Sequence, residues 1–326
     1  MNKKLGKTDL VTSPIVCGCM GASGAFGPQE EKDSIEALKT AFSVGINFFD
    51  TAEMYGNGYS EQLLGKALHD KRNEIVILSK VKPENLRKAD LIKACERSLE
   101  NLNTTYLDLY LIHWPNRDVP LEESLEALHT LKDQGKIRYY GVSNFGKKDL
   151  KALTSLDSNI SVDEISYHLL FRACEYEVLP ECISQEIPVL TYSSLMQGLL
   201  AGKYRTLEEF PDNRARTRMF DSRKRPLCRH GENGAEKEAS MALASIWSIV
   251  EETNLSMEEL AVGWLKAQKG VGGVLVGPRD AEQSRGMETL LTIQLDEKVI
   301  NQLSLATDTL KKALGPNIDM WDFRTK

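Results

Sequence analysis

Short apolar runs recur along the chain, separated by longer stretches in which apolar residues return every three to four positions. The runs lie at 14–20, 46–50, 75–80, 106–113, 137–142, 162–167, 188–193 and 272–277. Several, such as 75–78 and 187–190, are apolar without alternation, the pattern of a parallel strand covered on both faces. The segments between them predict amphipathic helices near 31–44, 60–69, 89–102, 121–134, 147–156 and 175–185. In the third of these, Ile92, Cys95, Ser98, Leu99 and Leu102 share one face. The seventh gap is longer: a polar loop over 203–237 precedes helices near 238–253 and 257–269. Helical segments are expected again near 280–289 and 296–314. Ser60 reads as an N-cap, and Ser256-Met-Glu-Glu259 and Asp280-Ala-Glu-Gln283 read as capping boxes. Residues 1–13, with Gly6 and Asp9, predict a short hairpin.

Eight strand–helix units point to an α/β chain folded as a (β/α)8 TIM barrel, with an N-terminal β-hairpin and extra C-terminal helices. The rival is an open doubly wound sheet. It would carry a glycine-rich fingerprint after its first strand, and Gly18-Cys-Met-Gly21 is too short for one. No low-complexity linker interrupts residues 1–326, so a single domain is expected.

Three successive strand runs finish on an ionisable residue: Asp50, Lys80 and His113. Tyr55 follows Asp50 in a turn containing Gly56, Asn57 and Gly58. In a TIM barrel the C-terminal strand ends carry the chemistry, so these side chains are expected to converge there. Each has an ordinary reading taken singly: Asp50 as a turn cap, Lys80 as a surface lysine, His113 as a packed core histidine.

Taken in order, D-T-A-x-x-Y-G from Asp50, a strand ending in Lys80 and L-I-H-W-P around His113 resemble the aldo-keto reductase family, over nearly the whole chain. The resemblance implies an NAD(P)H-dependent oxidoreductase that reduces aldehydes, ketones or aldose sugars, with NADPH as cofactor and NAD possible. Tyr55 is then the general acid. A free tyrosine has a pKa of about 10, and an adjacent Lys80 ammonium is expected to lower it. Asp50 would hold Lys80 in place and charged, and His113 would orient the carbonyl oxygen. No side chain supplies a hydride, so a nicotinamide is required.

The same resemblance assigns Ser143, Asn144 and Glu164 to the nicotinamide carboxamide, and Tyr192 to its ring face. Ser193, Leu195, Gln197, Gly198, Leu199 and Lys203 belong with the pyrophosphate, and Arg214 contacts a phosphate. Arg279 suits the 2′-phosphate of NADP, with Gly277 and Gln283 beside it; Met20 and Asp50 complete the cofactor set. The chain departs from the family pattern in three places. Glu164 stands for a glutamine; it can accept but not donate, and its charge would favour the oxidised ring. Ser194 stands for a proline and is expected to loosen its turn. Gly286 and Met287 stand for Glu-Asn, which leaves the preference for NADP over NAD open. Trp114, Met54, Phe26 and parts of the 203–237 loop are expected to shape a pocket for a small carbonyl substrate beside Tyr55 and His113. The alternatives are a sugar or alcohol dehydrogenase working oxidatively, and an NADPH-binding regulatory subunit like those of potassium channels. A Schiff-base enzyme using Lys80 is disfavoured, because Asp50 would keep that amine protonated.

Composition narrows the partners. The chain is 41% hydrophobic and 27% charged with a net charge of −6, which argues against nucleic acid. Seven Arg or Lys within 214–229 read as a basic lid over an anionic dinucleotide. The start is basic, but no apolar segment follows, so no signal peptide is expected. No run approaches the roughly 18 apolar residues of a membrane span. The six cysteines form no C-x-x-C, and Cys17 and Cys19 lack ligand partners in sequence. No metal site is expected; reduced thiols, a cytoplasmic location and a monomer or weak homo-oligomer are.

Overall fold

In the computed structural model of the chain, residues 2–24, 27 and 29–321 are described. Phe26, expected at the substrate mouth, lies outside them. A two-stranded hairpin, β1 (Lys3–Lys4) and β2 (Val11–Thr12), precedes the barrel. Eight parallel strands then close on themselves: β3 (Ile15–Gly18), β4 (Phe48–Asp50), β5 (Val76–Val81), β6 (Leu107–Ile112), β7 (Ile137–Ser143), β8 (Asp163–Ser166), β9 (Val189–Tyr192) and β10 (Val271–Val276). Each of the eight strand runs read from the sequence is one of these strands.

Helices α1 (Glu31–Ser43), α2 (Tyr59–Leu68), α3 (Lys88–Leu102), α4 (Leu121–Asp133), α5 (Lys147–Leu156) and α6 (Val178–Ser184) fill the first six crossovers. The seventh carries α7 (Glu236–Thr253) and α8 (Met257–Lys266), and β10 is followed by α9 (Ala281–Thr292), α10 (Glu297–Ala306) and α11 (Asp308–Leu314). The last pair was expected as one helix. It breaks at Thr307, where the Arg172 guanidinium donates to the Ser304 carbonyl (2.7 Å) and to Thr307 Oγ1 (3.0 Å).

The caps differ in detail from the sequence reading. Ser256 and Glu259 form the full capping box at α8. At α9, Asp280 accepts from Gln283 N, but the Gln283 side chain accepts from Arg279 N rather than from the cap residue. Ser60 does not cap α2. The helix begins at Tyr59 behind Gly58, and Ser60 Oγ donates instead to the Cys19 carbonyl (3.1 Å).

Two apolar layers hold the barrel together. Outward strand residues such as Phe49, Ile77, Tyr110 and Ile165 pack under the helices. Inward residues Val16, Phe48, Val76, Leu78, Leu109, Leu111, Val162, Leu190 and Leu275 fill the interior, and Leu5 and Leu10 of the hairpin join this inner cluster. The hairpin is tied to the barrel by Asp9, whose backbone N–H donates to the Tyr139 hydroxyl and whose carboxylate pairs with Arg138. Gly141, inward on β7, has no room for a side chain: a Cβ would stand 2.6 Å from the Val162 carbonyl oxygen.

Side chains on a strand alternate between faces. The inward column that begins with Phe48 continues to Asp50. Val76 and Leu78 lead to Lys80, and Leu109 and Leu111 to His113. Gly141 leads to Ser143, Val162 to Glu164, and Leu190 to Tyr192. Apolar residues therefore close the lower barrel, and the next inward step on six strands is polar.

Candidate active site

Those polar steps meet at the C-terminal mouth. Lys80 is wholly buried and is the hub. Its ammonium pairs with the buried Asp50 carboxylate and donates to the Thr51 carbonyl (3.1 Å). It also donates to the Tyr55 hydroxyl (3.4 Å). Its fourth neighbour is Glu164 Oε1, 3.4 Å away across the barrel. The sequence reading placed Glu164 at the cofactor but did not bring it to Lys80. Strand parity could have put Glu164 on the inward face, though not within reach of Lys80.

Tyr55 is held by the turn after β4, its backbone N–H bonded to the Ala52 carbonyl. Its ring meets His113 edge-on, with centroids 5.7 Å apart. His113 is 6% exposed, and its Nδ1 has no hydrogen-bond partner among the described residues. Burial and the neighbouring Lys80 charge hold its pKa well below the usual value, so the ring is neutral and carries one N–H.

The charges of this cluster follow from desolvation and proximity. Burial lowers the Lys80 pKa, but Asp50 and Glu164 together outweigh it and hold the amine above its ordinary value. Burial lifts the Asp50 carboxyl, an effect that Lys80 opposes. Burial and the Asp50 charge push Glu164 well above the usual carboxylate range, against the pull of Lys80. Tyr55 departs from expectation. Lys80 does favour the phenolate, but desolvation is larger and both carboxylates add to it, so the phenol lies above its ordinary pKa.

The strand ends on the far side of the mouth carry the polar groups expected at a nicotinamide. Ser143 Oγ donates to the Glu164 carbonyl (2.8 Å) and Asn144 Nδ2 to the His113 carbonyl (3.0 Å). The Tyr192 hydroxyl donates to Asn144 Oδ1 (2.8 Å). Trp321 also comes close to the Tyr192 hydroxyl and pulls its pKa down against burial, a neighbour not foreseen from the sequence. It is brought there by the C-terminal segment. Met320 is buried, with its sulfur taking hydrogen bonds from Ser166 Oγ (3.1 Å) and His168 Nε2 (3.4 Å).

After β9 the backbone turns left-handed at Ser193 and again over Met196, Gln197 and Gly198, with φ of 56°, 45°, 53° and 98°. Non-glycine residues rarely adopt this conformation, and such runs gather at binding sites. The Arg214 guanidinium stands over the turn, bonded to the Gln197 carbonyl at 3.2 Å. A Cβ at Gly198 would be 3.3 Å from that guanidinium. Leu199 is buried and Leu195 half-buried beneath the turn. At Ser194, where a proline was the expected residue, the hydroxyl donates to the Thr191 carbonyl (3.0 Å).

The remaining residues divide. Arg279 sits half-buried before α9, and its carbonyl accepts from the Gln29 side chain. Gln283 is spent on the helix cap, bonded to Arg279 N and Asp280. Gly277 and Met20 are exposed at the mouth-side ends of β10 and β3. Lys203 is exposed and acts on Glu258, whose carboxyl burial raises and Lys203 lowers. The basic stretch is largely neutralised: Arg223 pairs with Asp221, and Arg225 with Asp212 and Glu236. Arg218 is buried, paired with Glu232, and clamps the C-terminal segment through the Asn317 carbonyl (2.9 Å). Trp114 is half-buried beside His113, and Met54 is exposed near Tyr55.

These groups suit a dinucleotide: an amide-binding set at one end, a guanidinium over an open backbone turn, and a second guanidinium before a helix N-terminus. A barrel with such a mouth is the build of an enzyme. The profile of the Aldo/keto reductase family matches residues 14–307. The chain belongs to this family of oxidoreductases. It is 31% identical over 328 residues to the aldo-keto reductase YhdN of Bacillus subtilis, covering 96% of this chain and 95% of that one. It is 41% identical over 171 residues to the methylglyoxal reductase YeaE of Escherichia coli, a match spanning 52% of this chain and 60% of that protein. Among solved structures it resembles an aldo/keto reductase from Klebsiella pneumoniae in complex with NADP and acetate. The TM-score is 0.74 at 28% identity, covering 94% of this chain and 95% of the other. Among the described residues no helix is long and apolar enough to cross a membrane.

Proposed function

We propose that the chain reduces small aldehydes and ketones with NADPH, Tyr55 giving the proton and His113 holding the carbonyl oxygen. The observation that carries this reading is the Lys80 ammonium 3.4 Å from the Tyr55 hydroxyl, with the neutral His113 ring against the same phenol. The bound dinucleotide supplies the hydride. Tyr55 keeps its proton in the resting site because desolvation raises its pKa. Lys80 then acts as negative charge develops on the phenol oxygen, where a nearby ammonium in a dry site stabilises most. Asp50 fixes that ammonium, and the single N–H of neutral His113 suits the carbonyl oxygen. Ser143, Asn144, Glu164 and Tyr192 would hold the nicotinamide, Arg214 the pyrophosphate, and Arg279 the 2′-phosphate.

Carbonyl reduction is also the activity named for the E. coli relative, and NADP the ligand named for the Klebsiella structure. Fluorescence titration with NADPH, competition by NADH, and turnover on a panel including methylglyoxal, aromatic aldehydes and aldoses test the reading. Binding of NADPH with turnover of at least one carbonyl is expected. Binding with no turnover on any of them would turn the reading toward a regulatory subunit, and no binding would end it.

A further inference from the structure

Two buried carboxylates share one buried ammonium here. Lys80 has three hydrogens and four acceptors around it: Asp50, the Thr51 carbonyl, Tyr55 and Glu164. With both carboxylates ionised, the cluster would hold an uncompensated charge away from water, which is costly; one added proton restores neutrality. The geometry selects its owner. Asp50 makes the closer contact with Lys80, whereas Glu164 Oε1 is 3.4 Å away; Glu164 Oε2 is buried with no hydrogen-bond donor among the described residues, and the carboxyl lies against that of Asp50.

The groups facing Glu164 from the surrounding elements are Asp50 on β4, Tyr55 after it, Lys80 on β5 and Tyr192 on β9. His113 after β6 and the Cys19 thiol after β3 adjoin the same cluster through Lys80 and Asp50. Lys80 is the cation of this set. Burial and Asp50 favour the protonated Glu164, and only Lys80 opposes them.

We propose that Glu164 is the proton reservoir of this site, protonated beside the reduced cofactor and ionised beside the oxidised one. The proposal rests on the nicotinamide reading above. The carbonyl carbon receives a hydride from the reduced dinucleotide, the C=O π bond breaks, and the oxygen takes the Tyr55 proton. Tyr55 recovers a proton from Lys80 across 3.4 Å, and Lys80 recovers one from Glu164 across a second 3.4 Å. The carbonyl gains two electrons and two hydrogens, the dinucleotide loses a hydride, and Glu164 loses one proton, which solvent returns when the oxidised dinucleotide leaves. The glutamate thus does what a glutamine cannot. As an acid it can donate to a carboxamide, and as a carboxylate it can face a positive ring.

Calorimetric titration of the full chain with NADP+ and with NADPH, each in two buffers of different protonation enthalpy near pH 7, counts the protons. NADP+ is expected to release about one more proton than NADPH, and the ratio of its Kd to that of NADPH to fall by up to about tenfold per pH unit. The 2′-phosphate titrates alike in both ligands and cancels. In Glu164→Gln both ligands are expected to bind with equal proton counts and a flat ratio. Equal counts in the wild type, or a difference that survives in E164Q, would overturn the proposal. If E164Q does not fold, the slope of the ratio in the wild type decides. Failure of both ligands to bind would instead overturn the cofactor reading, and this inference with it.

Discussion

The Lys80 ammonium lies 3.4 Å from the Tyr55 hydroxyl and is itself wholly enclosed by protein. A phenol so placed can give up its proton only where the charge left behind is met. Tyr55→Phe removes the proton donor and leaves the fold intact. We expect carbonyl turnover to fall about 10²–10⁴-fold with the Kd for NADPH nearly unchanged, measured by steady-state kinetics and fluorescence titration.

Lys80 also holds two carboxylates in the core. Lys80→Met leaves them without their cation, and breaking a buried pair from one side typically costs about 3–5 kcal/mol. Denaturant unfolding should register this loss. Adding Asp50→Asn and Glu164→Gln should recover much of the stability without restoring turnover; a triple variant no more stable than K80M would remove the charge argument.

His168 is buried against Phe171 and Met320, and burial brings its pKa down to about 3. The unfolded chain therefore binds a proton at this residue that the folded chain refuses. The contribution to stability is complete above the unfolded value of about 6.5 and is lost as pH falls toward 3. Thermal unfolding of His168→Gln between pH 7 and pH 4 should show a flatter decline than the wild type; parallel curves would sink the assignment.

Gly141 lets β7 approach β8 in the barrel interior, where a Cβ would lie 2.6 Å from the Val162 carbonyl oxygen. Gly141→Ala must shift backbone, not a flexible side chain. A loss of about 1–3 kcal/mol in chemical denaturation is expected.

Arg214 stands over the left-handed turn at Gln197 and Gly198. If it meets a phosphate there, Arg214→Ala removes a charge-assisted hydrogen bond of about 1.5–3 kcal/mol. The Kd for NADPH should rise tenfold or more, with kcat at saturating cofactor little changed. An unaltered Kd would confine Arg214 to bracing the turn.

Much of the barrel is legible in single runs of residues. Val76-Ile-Leu78 reads as a strand because its apolar side chains must be covered on both faces, and Lys80 stands where that requirement ends. The period of two on each strand likewise puts Asp50, Lys80 and His113 on the inward face. The cap at Ser256 was equally readable, because a capping box is made by residues three apart. Ser60 was not: its helix starts one residue earlier, and its hydroxyl is claimed by the Cys19 carbonyl just after β3.

By its order of apolar and polar positions alone, the chain determined eight buried strands, their inward columns and the polar residue topping six of those columns. Those depend on local periodicity and solvent exclusion, which act between near neighbours. Only barrel closure decided that Glu164 on β8 faces Lys80 on β5, that desolvation outweighs Lys80 at Tyr55, and that Trp321 reaches Tyr192. Each depends on distances between distant parts of the chain, and on how much water the closed barrel shuts out.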